Sequence, residues 1–382
     1  MARITAERCH RPSVGKPLEA WGSWVNNKQN EFIMKNLLSI LTLLALTAQV
    51  TAQQLPRVII LATGGTIAGA GASSDRAGYT AGKIPIDDLI GTIPSVKKIA
   101  NITGEQIASV GSQDMTVEIW KKLAIRINEI FNKKEAEAVV VTHGTDTQEE
   151  TAYFLDLVVP SDRPVVLTGS MRPATAISAD GPKNLYDAIT VAIDPKTKGR
   201  GVLVSFNEGI YDAREVMKLS TTKTNAFGSP NTGAVGQAYD GKVEYYSRSD
   251  REVNPKNPIV ITPDTKLPRV DIVYMYADAP SDQIDMLVSK KVDGIVIAGV
   301  GNGNFNKAFM DAVKKAVAAG VIVCRASRTP SGRVVLHDEI NDDELGTIVS
   351  DDLTPQKARI LLMLGLSRTK DKKQLQKMFF TF

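Results

Sequence analysis

The chain has 382 residues, with 46 Lys and Arg against 42 Asp and Glu and a formal net charge of +4. So small an excess of basic residues does not indicate a nucleic-acid-binding or membrane-binding protein. Two cysteines and three histidines offer no obvious metal cluster, so we expect neither a metal ion nor another cofactor.

Residues 34–52 predict a signal peptide that directs export to the periplasm. Lys35 precedes a mostly apolar stretch, residues 37–48, which is too short to span a bilayer that requires about 20 residues. Val50-Thr51-Ala52 then provides the small residues that a signal peptidase needs before its cleavage site. The alternative is a buried core helix at the start of a cytosolic domain.

Residues 1–33 show no hydrophobic periodicity and precede the predicted signal peptide. We therefore expect translation to start at Met34, with residues 1–33 unstructured or an over-extended reading frame. Removing 52 of the 382 residues leaves 330, enough for two domains. Six of the 46 basic and three of the 42 acidic residues lie in the removed part, so the remainder is nearly neutral. Cys324 then remains alone, which excludes an intrachain disulfide.

Short apolar segments rich in β-branched residues predict strands buried on both faces, as in a parallel sheet. They are Val58–Leu61, Ala138–Val141, Val165–Leu167, Val202–Phe206, Ile272–Met275, Ile295–Ala298 and Val321–Val323. Helical segments lie between them. In Val117–Phe131, for example, the apolar residues recur on one helical face. Alternating strands and helices predict an α/β fold.

Residues 247–268 are charged and proline-rich, which is typical of a linker. We therefore expect two domains. Residues 55–246 would form a larger N-terminal α/β domain on a parallel sheet, and residues 269–382 a smaller, Rossmann-like C-terminal α/β domain.

Glycine and hydroxyl-bearing residues follow several of the predicted strands. They occur in Thr63-Gly64-Gly65-Thr66, Thr142-His143-Gly144-Thr145-Asp146, Thr168-Gly169-Ser170, Gly299–Asn304 and Arg325–Arg328. Ligands bind at the carboxyl ends of parallel strands, so these residues predict a ligand site at that edge. The alternative is that Gly, Thr and Ser are simply common in loops.

Gly64-Gly65-Thr66 has a rival interpretation as part of a dinucleotide-binding fingerprint, which must open a helix. The residues after Gly69 are instead rich in Gly, Ser and Ala. Such a sequence favours a mobile loop that closes over a substrate and carries Tyr79 with it.

Thr145 offers a second hydroxyl, and a threonine hydroxyl needs a base before it can act as a nucleophile. His143 is one candidate base, although a strand-end histidine bonded to the backbone is the simpler interpretation. A lysine is the other candidate, provided that burial or nearby cations lower its pKa from about 10.4. Composition does not select which lysine.

Several motifs spread over residues 55–382 resemble those of bacterial L-asparaginases. They are Thr63-Gly64-Gly65-Thr66-Ile67, Ser112-Gln113-Asp114-Met115, His143-Gly144-Thr145-Asp146-Thr147 with Glu149-Glu150-Thr151, Thr168-Gly169-Ser170-Met171-Arg172, Ser178-Ala179-Asp180-Gly181-Pro182, Gly301-Asn302-Gly303-Asn304 and Pro355-Gln356-Lys357-Ala358-Arg359. The predicted signal peptide favours the secreted, type II branch of that asparaginase/glutaminase family.

The resemblance implies catalytic roles. Thr66 matches the threonine held to be the primary nucleophile in the family, with Tyr79 on the mobile loop beside it. Thr145, Asp146 and Lys218 match a second group, in which the lysine supports the threonine.

The resemblance also implies substrate-binding roles. Ser112, Gln113 and Asp146 match residues that hold the α-carboxylate and α-amino groups of L-asparagine. Asn304 and Glu339 match residues that reach the site from a neighbouring subunit of a homotetramer, a dimer of dimers.

The implied activity is hydrolysis of L-asparagine to L-aspartate and ammonia, with L-glutamine as a slower substrate. Asn304, where the alternative is a serine, favours asparagine. Gln148 departs from the family pattern, which has an apolar residue there, so it either alters substrate placement or faces solvent. The main alternative function is a periplasmic amino-acid-binding protein without catalysis, since such proteins are also secreted, two-domain and α/β.

Overall fold

A computed structural model describes residues 31–37, 39, 54–71, 79–249 and 259–382. The chain divides into two compact units, Met1–Gln54 and Leu55–Phe382. In the first unit, residues 31–37 and 39 are helical, whereas the predicted cleavage site after Ala52 lies outside the described residues. Among the residues described, none of the helices combines the length and the apolar character needed to cross a bilayer.

The second unit contains the following strands and helices. The strands are β1 (Arg57–Gly64), β2 (Ala70–Gly71), β3 (Tyr79–Thr80), β4 (Asn101–Val110), β5 (Ala138–Thr142), β6 (Val165–Thr168), β7 (Val202–Phe206), β8 (Gly209–Asp212), β9 (Met217–Lys218), β10 (Phe227–Gly228), β11 (Gly236–Tyr239), β12 (Lys242–Tyr245), β13 (Val270–Tyr274), β14 (Gly294–Gly299), β15 (Ile322–Ser327) and β16 (Ile348–Val349). The helices are α1 (Ile86–Gly91), α2 (Val117–Asn132), α3 (Gln148–Val158), α4 (Gly181–Ile193), α5 (Asp282–Ser289), α6 (Lys307–Ala318), α7 (Asp342–Leu345), α8 (Pro355–Leu366) and α9 (Lys372–Thr381).

The large sheet has the strand order β12-β11-β8-β7-β6-β5-β1-β4. Strands β4, β1, β5, β6 and β7, in their order across the sheet, are parallel, as predicted. Strands β8, β11 and β12 are antiparallel to their neighbours. The sheet is therefore mixed. The reversal at β7–β8 is made by Asn207 and Glu208, both with positive φ, and that at β11–β12 by Asp240-Gly241. Two-residue turns of this kind match the twist of antiparallel strands.

The smaller sheet is parallel in the order β13-β14-β15-β16, which confirms the predicted smaller α/β region. Each predicted apolar segment lies within or overlaps an observed strand. The predicted helix at residues 117–131 is also observed, and the Oγ1 of Thr116 caps it by accepting a hydrogen bond from the backbone N–H of Ile119.

One apolar core joins the helices on one face of the large sheet to the smaller sheet and its helices. Trp120 of α2 stacks on Phe154 of α3, and Leu361 of α8 belongs to the same buried cluster. Ile259 and Ile261, inside the predicted linker, are also buried in this core, whereas residues 250–258 lie outside the described residues.

Candidate active site

Three loops meet where strands β1, β4 and β5 end, because β1 lies between the other two in the sheet. Gly65 has a φ of 77°, and a Cβ on it would lie 2.4 Å from the Cα of Gly144. A Cβ on Gly144 would lie 2.7 Å from the Oγ of Ser112. Glycine at both positions is therefore what lets the three backbones approach one another.

These loops form one side of a cleft of about 960 Å³. The cleft is lined by six of the predicted site residues: Thr66, Ser112, Gln113, Thr145, Asp146 and Lys218. The predicted ligand site at the carboxyl edge of the sheet is thus an open cavity that both predicted threonines reach.

Lys218 connects the second group of predicted catalytic residues. Its Nζ donates to the Oγ1 of Thr145 at 2.9 Å and to the Oδ1 of Asp146 at 2.5 Å. The Thr145 side chain is buried, and that of Lys218 is 17% exposed, whereas Asp146 is 58% exposed toward the cleft. The arrangement places the Nζ of Lys218 against a hydroxyl, with a carboxylate as the third member.

Ser112 holds the loop that carries Asp146. Its Oγ accepts a hydrogen bond from the backbone N–H of Asp146 at 3.0 Å, and its carbonyl oxygen accepts one from Thr147 Oγ1 at 2.7 Å. Ser112 is buried, while Gln113 beside it is exposed.

Thr66 begins a short 3-10 turn, Thr66–Ala68, directly after Gly65. Its carbonyl oxygen accepts from the backbone N–H of Gly69 at 2.8 Å, and its side chain is buried at the wall of the cleft. The chain then continues as strand β2 and not as a helix, which argues against the dinucleotide-binding interpretation.

The predicted mobile loop is anchored at its ends. Ala70 and Gly71 of β2 pair with Tyr79 and Thr80 of β3 in antiparallel fashion. Residues 72–78 lie outside the described residues, so the part of the loop between the two strands is not described. The backbone of Tyr79 is on β3, and Thr80 lines the cleft.

His143 is a structural residue. Its Nε2 lies 2.8 Å from the Oγ1 of Thr151, which accepts a hydrogen bond from the indole N–H of Trp120 at 2.7 Å. The carbonyl of Gly144 can only accept, so Nδ1–H donates to it at 2.7 Å, and in the neutral ring Nε2 accepts from the Thr151 hydroxyl. Burial lowers the pKa of His143 to about 4, so the ring is neutral at pH 7 and both nitrogens are occupied.

Asn304 and Glu339 do not line this cleft within their own chain. They lie against each other in the region of the smaller sheet, where Asn304 Nδ2 donates to Glu339 Oε2 at 2.5 Å. The buried ion pair between Arg325 and Asp342 supports this pair of loops. Arg325 also donates to the carbonyl of Asn302 at 3.0 Å.

Several residues without a predicted site role lie in or beside the cleft. Met171, Arg172 and Ser178 line it, and Asp180 holds their loop by accepting from the backbone N–H groups of Met171 and Arg172 at 3.0 and 2.9 Å. These residues lie in two of the motifs that resemble those of bacterial L-asparaginases, Thr168–Arg172 and Ser178–Pro182, so the motifs could have indicated them. Glu149 also lay within such a motif and accepts from the backbone N–H of Lys218.

Gln148 is fully buried in the described structure, which makes the interpretation that it faces solvent wrong. Neither atom of its carboxamide has a hydrogen-bond partner among the described residues. Its Oε1 lies close to Gly169, where a Cβ would approach it to 2.9 Å.

Among the described residues, no group of three or more His, Cys, Asp or Glu side chains could hold a metal ion.

Comparison with known proteins identifies the family. A model of the asparaginase N-terminal domain matches residues 57–251, and a model of the glutaminase/asparaginase C-terminal domain matches residues 269–379. The chain belongs to the asparaginase family. The resemblance drawn from the motifs is thereby confirmed.

Two relatives and one solved structure are similar to this chain over most of its length. A probable periplasmic L-asparaginase of Haemophilus influenzae is 48% identical over 90% of this chain and 99% of its own length. L-asparaginase 2 of Escherichia coli is 46% identical over 85% of this chain and 93% of its own length. The crystal structure of a probable cytoplasmic L-asparaginase from Campylobacter jejuni is 44% identical, with a TM-score of 0.82 over 86% of this chain and all of the other. This asparaginase structure confirms the predicted fold class.

Proposed function

We propose that this member of the asparaginase family hydrolyses L-asparagine to L-aspartate and ammonia, with L-glutamine as a slower substrate. The observation that carries the proposal is the contact between Lys218 and Thr145, in the cleft that Thr66 also lines. A protein that only binds an amino acid has no need for a hydroxyl hydrogen-bonded to a lysine in its binding cleft.

The cleft suits a zwitterionic amino acid. The carboxylate of Asp146 can pair with the substrate's α-ammonium, while Gln113 and the buried hydroxyl of Ser112 offer donors for its α-carboxylate. When the substrate's ammonium engages Asp146, this carboxylate is shared and Lys218 remains bonded to Thr145. Substrate binding and activation of the hydroxyl are thereby linked.

In the proposed chemistry, the Oγ1 of Thr66 attacks the side-chain carboxamide carbon and forms a tetrahedral oxyanion. Backbone N–H groups in the glycine-rich turns can stabilise that oxyanion, each contributing about 2.7–4 kcal/mol in comparable sites. Collapse releases ammonia and leaves an ester on Thr66. In this step the neutral amine of Lys218, acting through the Thr145 hydroxyl, takes the proton that Thr66 loses and passes it to the departing nitrogen. In the second step the same pair takes a proton from the attacking water and returns it to the Oγ1 of Thr66 as the ester bond breaks and L-aspartate forms.

The proposal includes the setting in which the enzyme works. Export by cleavage after Ala52, assembly as a homotetramer, and sites completed by Asn304 and Glu339 of a neighbouring subunit all follow the pattern of the family. The pairing of Asn304 with Glu339 outside the chain's own cleft is compatible with a contribution to a partner's site. The division into domains at residues 247–268 belongs to the same proposal.

Release of ammonia from L-asparagine, L-glutamine and their D-forms tests the function. We expect kcat/KM for L-asparagine to exceed that for L-glutamine, because Asn304 occupies the position where the alternative is a serine. Equal values would remove this preference. Binding of L-asparagine without any release of ammonia would overturn the proposal in favour of an amino-acid-binding protein.

A further inference from the structure

Lys218 lies on a strand with little support of its own. Strand β9 has only two residues and pairs with the equally short β10, and neither strand belongs to the large sheet or to the smaller sheet. Displacement of a reacting group by about 1 Å can cost a factor of about 10² in rate. Something besides this two-residue ladder must therefore fix the backbone of Lys218.

Glu149 supplies one support. It is buried in the first turn of α3, the helix that directly follows Thr145 and Asp146. Its Oε2 accepts from the backbone N–H of Lys218 at 2.5 Å, and its Oε1 accepts from the Nε2 of Gln356 at 2.6 Å. One carboxylate thus joins the helix beside Thr145, the strand of Lys218 and the start of helix α8.

Lys357 supplies a second support from the same turn of α8. Its side chain is fully buried, and its Nζ donates to the backbone carbonyls of Arg214 (2.7 Å) and Val216, just before Lys218. Burying an ammonium group is costly, and an apolar side chain could fill the same volume without that cost. Burial lowers the pKa of Lys357 to about 8, and the nearby charge of Glu149 opposes this shift.

We infer that Glu149, Gln356 and Lys357 position Lys218 against Thr145, so that helix α8, from the region of the smaller sheet, sets the geometry of the reaction. We call these three residues the α8 support. The inference rests on the proposed function, because it presumes that Lys218 acts on Thr145. None of the three residues of the α8 support lines the cleft, so they act on the reaction only through Lys218.

The test measures kcat and KM separately in Gln356→Ala and Lys357→Met. We expect kcat to fall by at least about tenfold and KM to change by less than about threefold, because the interaction lost matters in the reaction step. Gln376→Ala is the matched control. Gln376 is another glutamine on a helix in the region of the smaller sheet, buried where Gln356 is half-buried, but it bonds to the backbone N–H and carbonyl of Val349 and not to the Lys218 segment.

A double-mutant cycle with Lys218→Met separates positioning from general damage. If the α8 support acts through Lys218, Gln356→Ala should not lower kcat further once Lys218 is methionine. A further tenfold loss in that background would overturn the inference, as would a normal kcat in Gln356→Ala. An equal loss of kcat in Gln376→Ala would also overturn it, because disturbance of the smaller domain would then be sufficient.

Exchanging the side chains of Glu149 and Gln356 gives a second test, which remains usable if Lys357→Met does not fold. Gln356→Glu alone places two carboxylates in contact and should lower kcat strongly. Adding Glu149→Gln restores one donor and one acceptor and should recover at least about half of the wild-type kcat; no recovery would count against the inference. Unchanged activity in Lys218→Met would refute the proposed role of Lys218 itself, which distinguishes failure of the proposed function from failure of this inference.

Discussion

At the scale of single residues, the proposed mechanism depends on two hydroxyl groups. Replacing Thr66 or Thr145 by valine removes one oxygen and keeps the shape of the side chain. We expect each variant to lower kcat by at least about 10²-fold, which is the usual contribution of a group that transfers protons or forms the covalent intermediate. The measurement is steady-state ammonia release, with urea unfolding as the check on the fold.

Thr63→Val is the matched control for these two variants. Thr63 is a buried threonine at the end of strand β1, three residues before Thr66, but its Oγ1 donates to the carbonyl of Thr142 at 3.0 Å and it does not line the cleft. We expect its turnover to remain within a few-fold of wild type. Near-normal turnover in Thr66→Val or Thr145→Val would remove that residue from the mechanism.

Gln148 leads to a prediction about stability. A buried carboxamide without partners costs about 1–3 kcal/mol relative to a satisfied or apolar group. Gln148→Met keeps the length of the side chain and removes both polar atoms, so we expect it to raise the free energy of unfolding by about 1–3 kcal/mol. Urea unfolding monitored by fluorescence measures the change, and a lower free energy of unfolding would show that the carboxamide has a stabilising partner.

At the scale of elements, helix α3 carries a carboxyl group whose ionisation opposes folding. Asp156 accepts from the backbone N–H of Val202 at 2.7 Å, and burial raises the pKa of Asp156 to about 7. The charge of Asp212 adds to this increase, while Arg214 and Lys357 oppose it. The folded protein therefore binds a proton here that the unfolded chain releases near pH 4.

The stability that this proton contributes is complete below about pH 4 and is lost as the pH rises toward 7. Asp156→Asn keeps the acceptor for Val202 and cannot ionise. We expect the free energy of unfolding of Asp156→Asn to rise relative to wild type between pH 4 and pH 7, by up to about 1.4 kcal/mol per pH unit. Urea unfolding at several pH values measures this difference, and a difference that does not vary with pH would contradict the assignment.

The strands that could be predicted most directly from the sequence are those whose residues are almost all buried. The central strands are buried on both faces, so their continuous apolar runs were recognisable. Strand β4 forms the sheet edge with partly exposed residues, and its mixed composition, Asn101–Val110, hid it. Asp240-Gly241 is a typical hairpin turn, but the strands beside it have four residues each and no continuous apolar run, so they were not predicted.

At the scale of the whole molecule, the site was predictable where it is built from strand ends and hidden where it depends on distant contacts. Residues 63–66 and 142–146 each follow an apolar strand, so their convergence follows from a parallel sheet. Lys218 lies 72 residues from Asp146 along the chain, on a strand too short to recognise, and only the resemblance indicated it. The α8 support is more distant still, since Gln356 and Glu149 are 207 residues apart.

The proposed assembly gives the last prediction, because it divides each active site between two chains. If Thr66 of one subunit works with Asn304 and Glu339 of its neighbour, Thr66→Val and Asn304→Ala damage opposite halves of a site. We expect each variant alone to lose most of its activity. Equal amounts of the two, allowed to exchange subunits, form mixed pairs in half of the cases. Each mixed pair has one site with both defects and one with neither, so about one quarter of all sites should be intact.

The measurement is ammonia release before and after subunit exchange, with each variant exchanged against itself as the control. Recovery of about one quarter of wild-type activity is expected from the mixture alone. If Asn304 instead served its own chain, every site in the mixture would keep one defect and no activity would return. Dilution adds an independent check, since separated subunits should lose activity, and a fully active monomer would exclude a shared site whatever the mixture does.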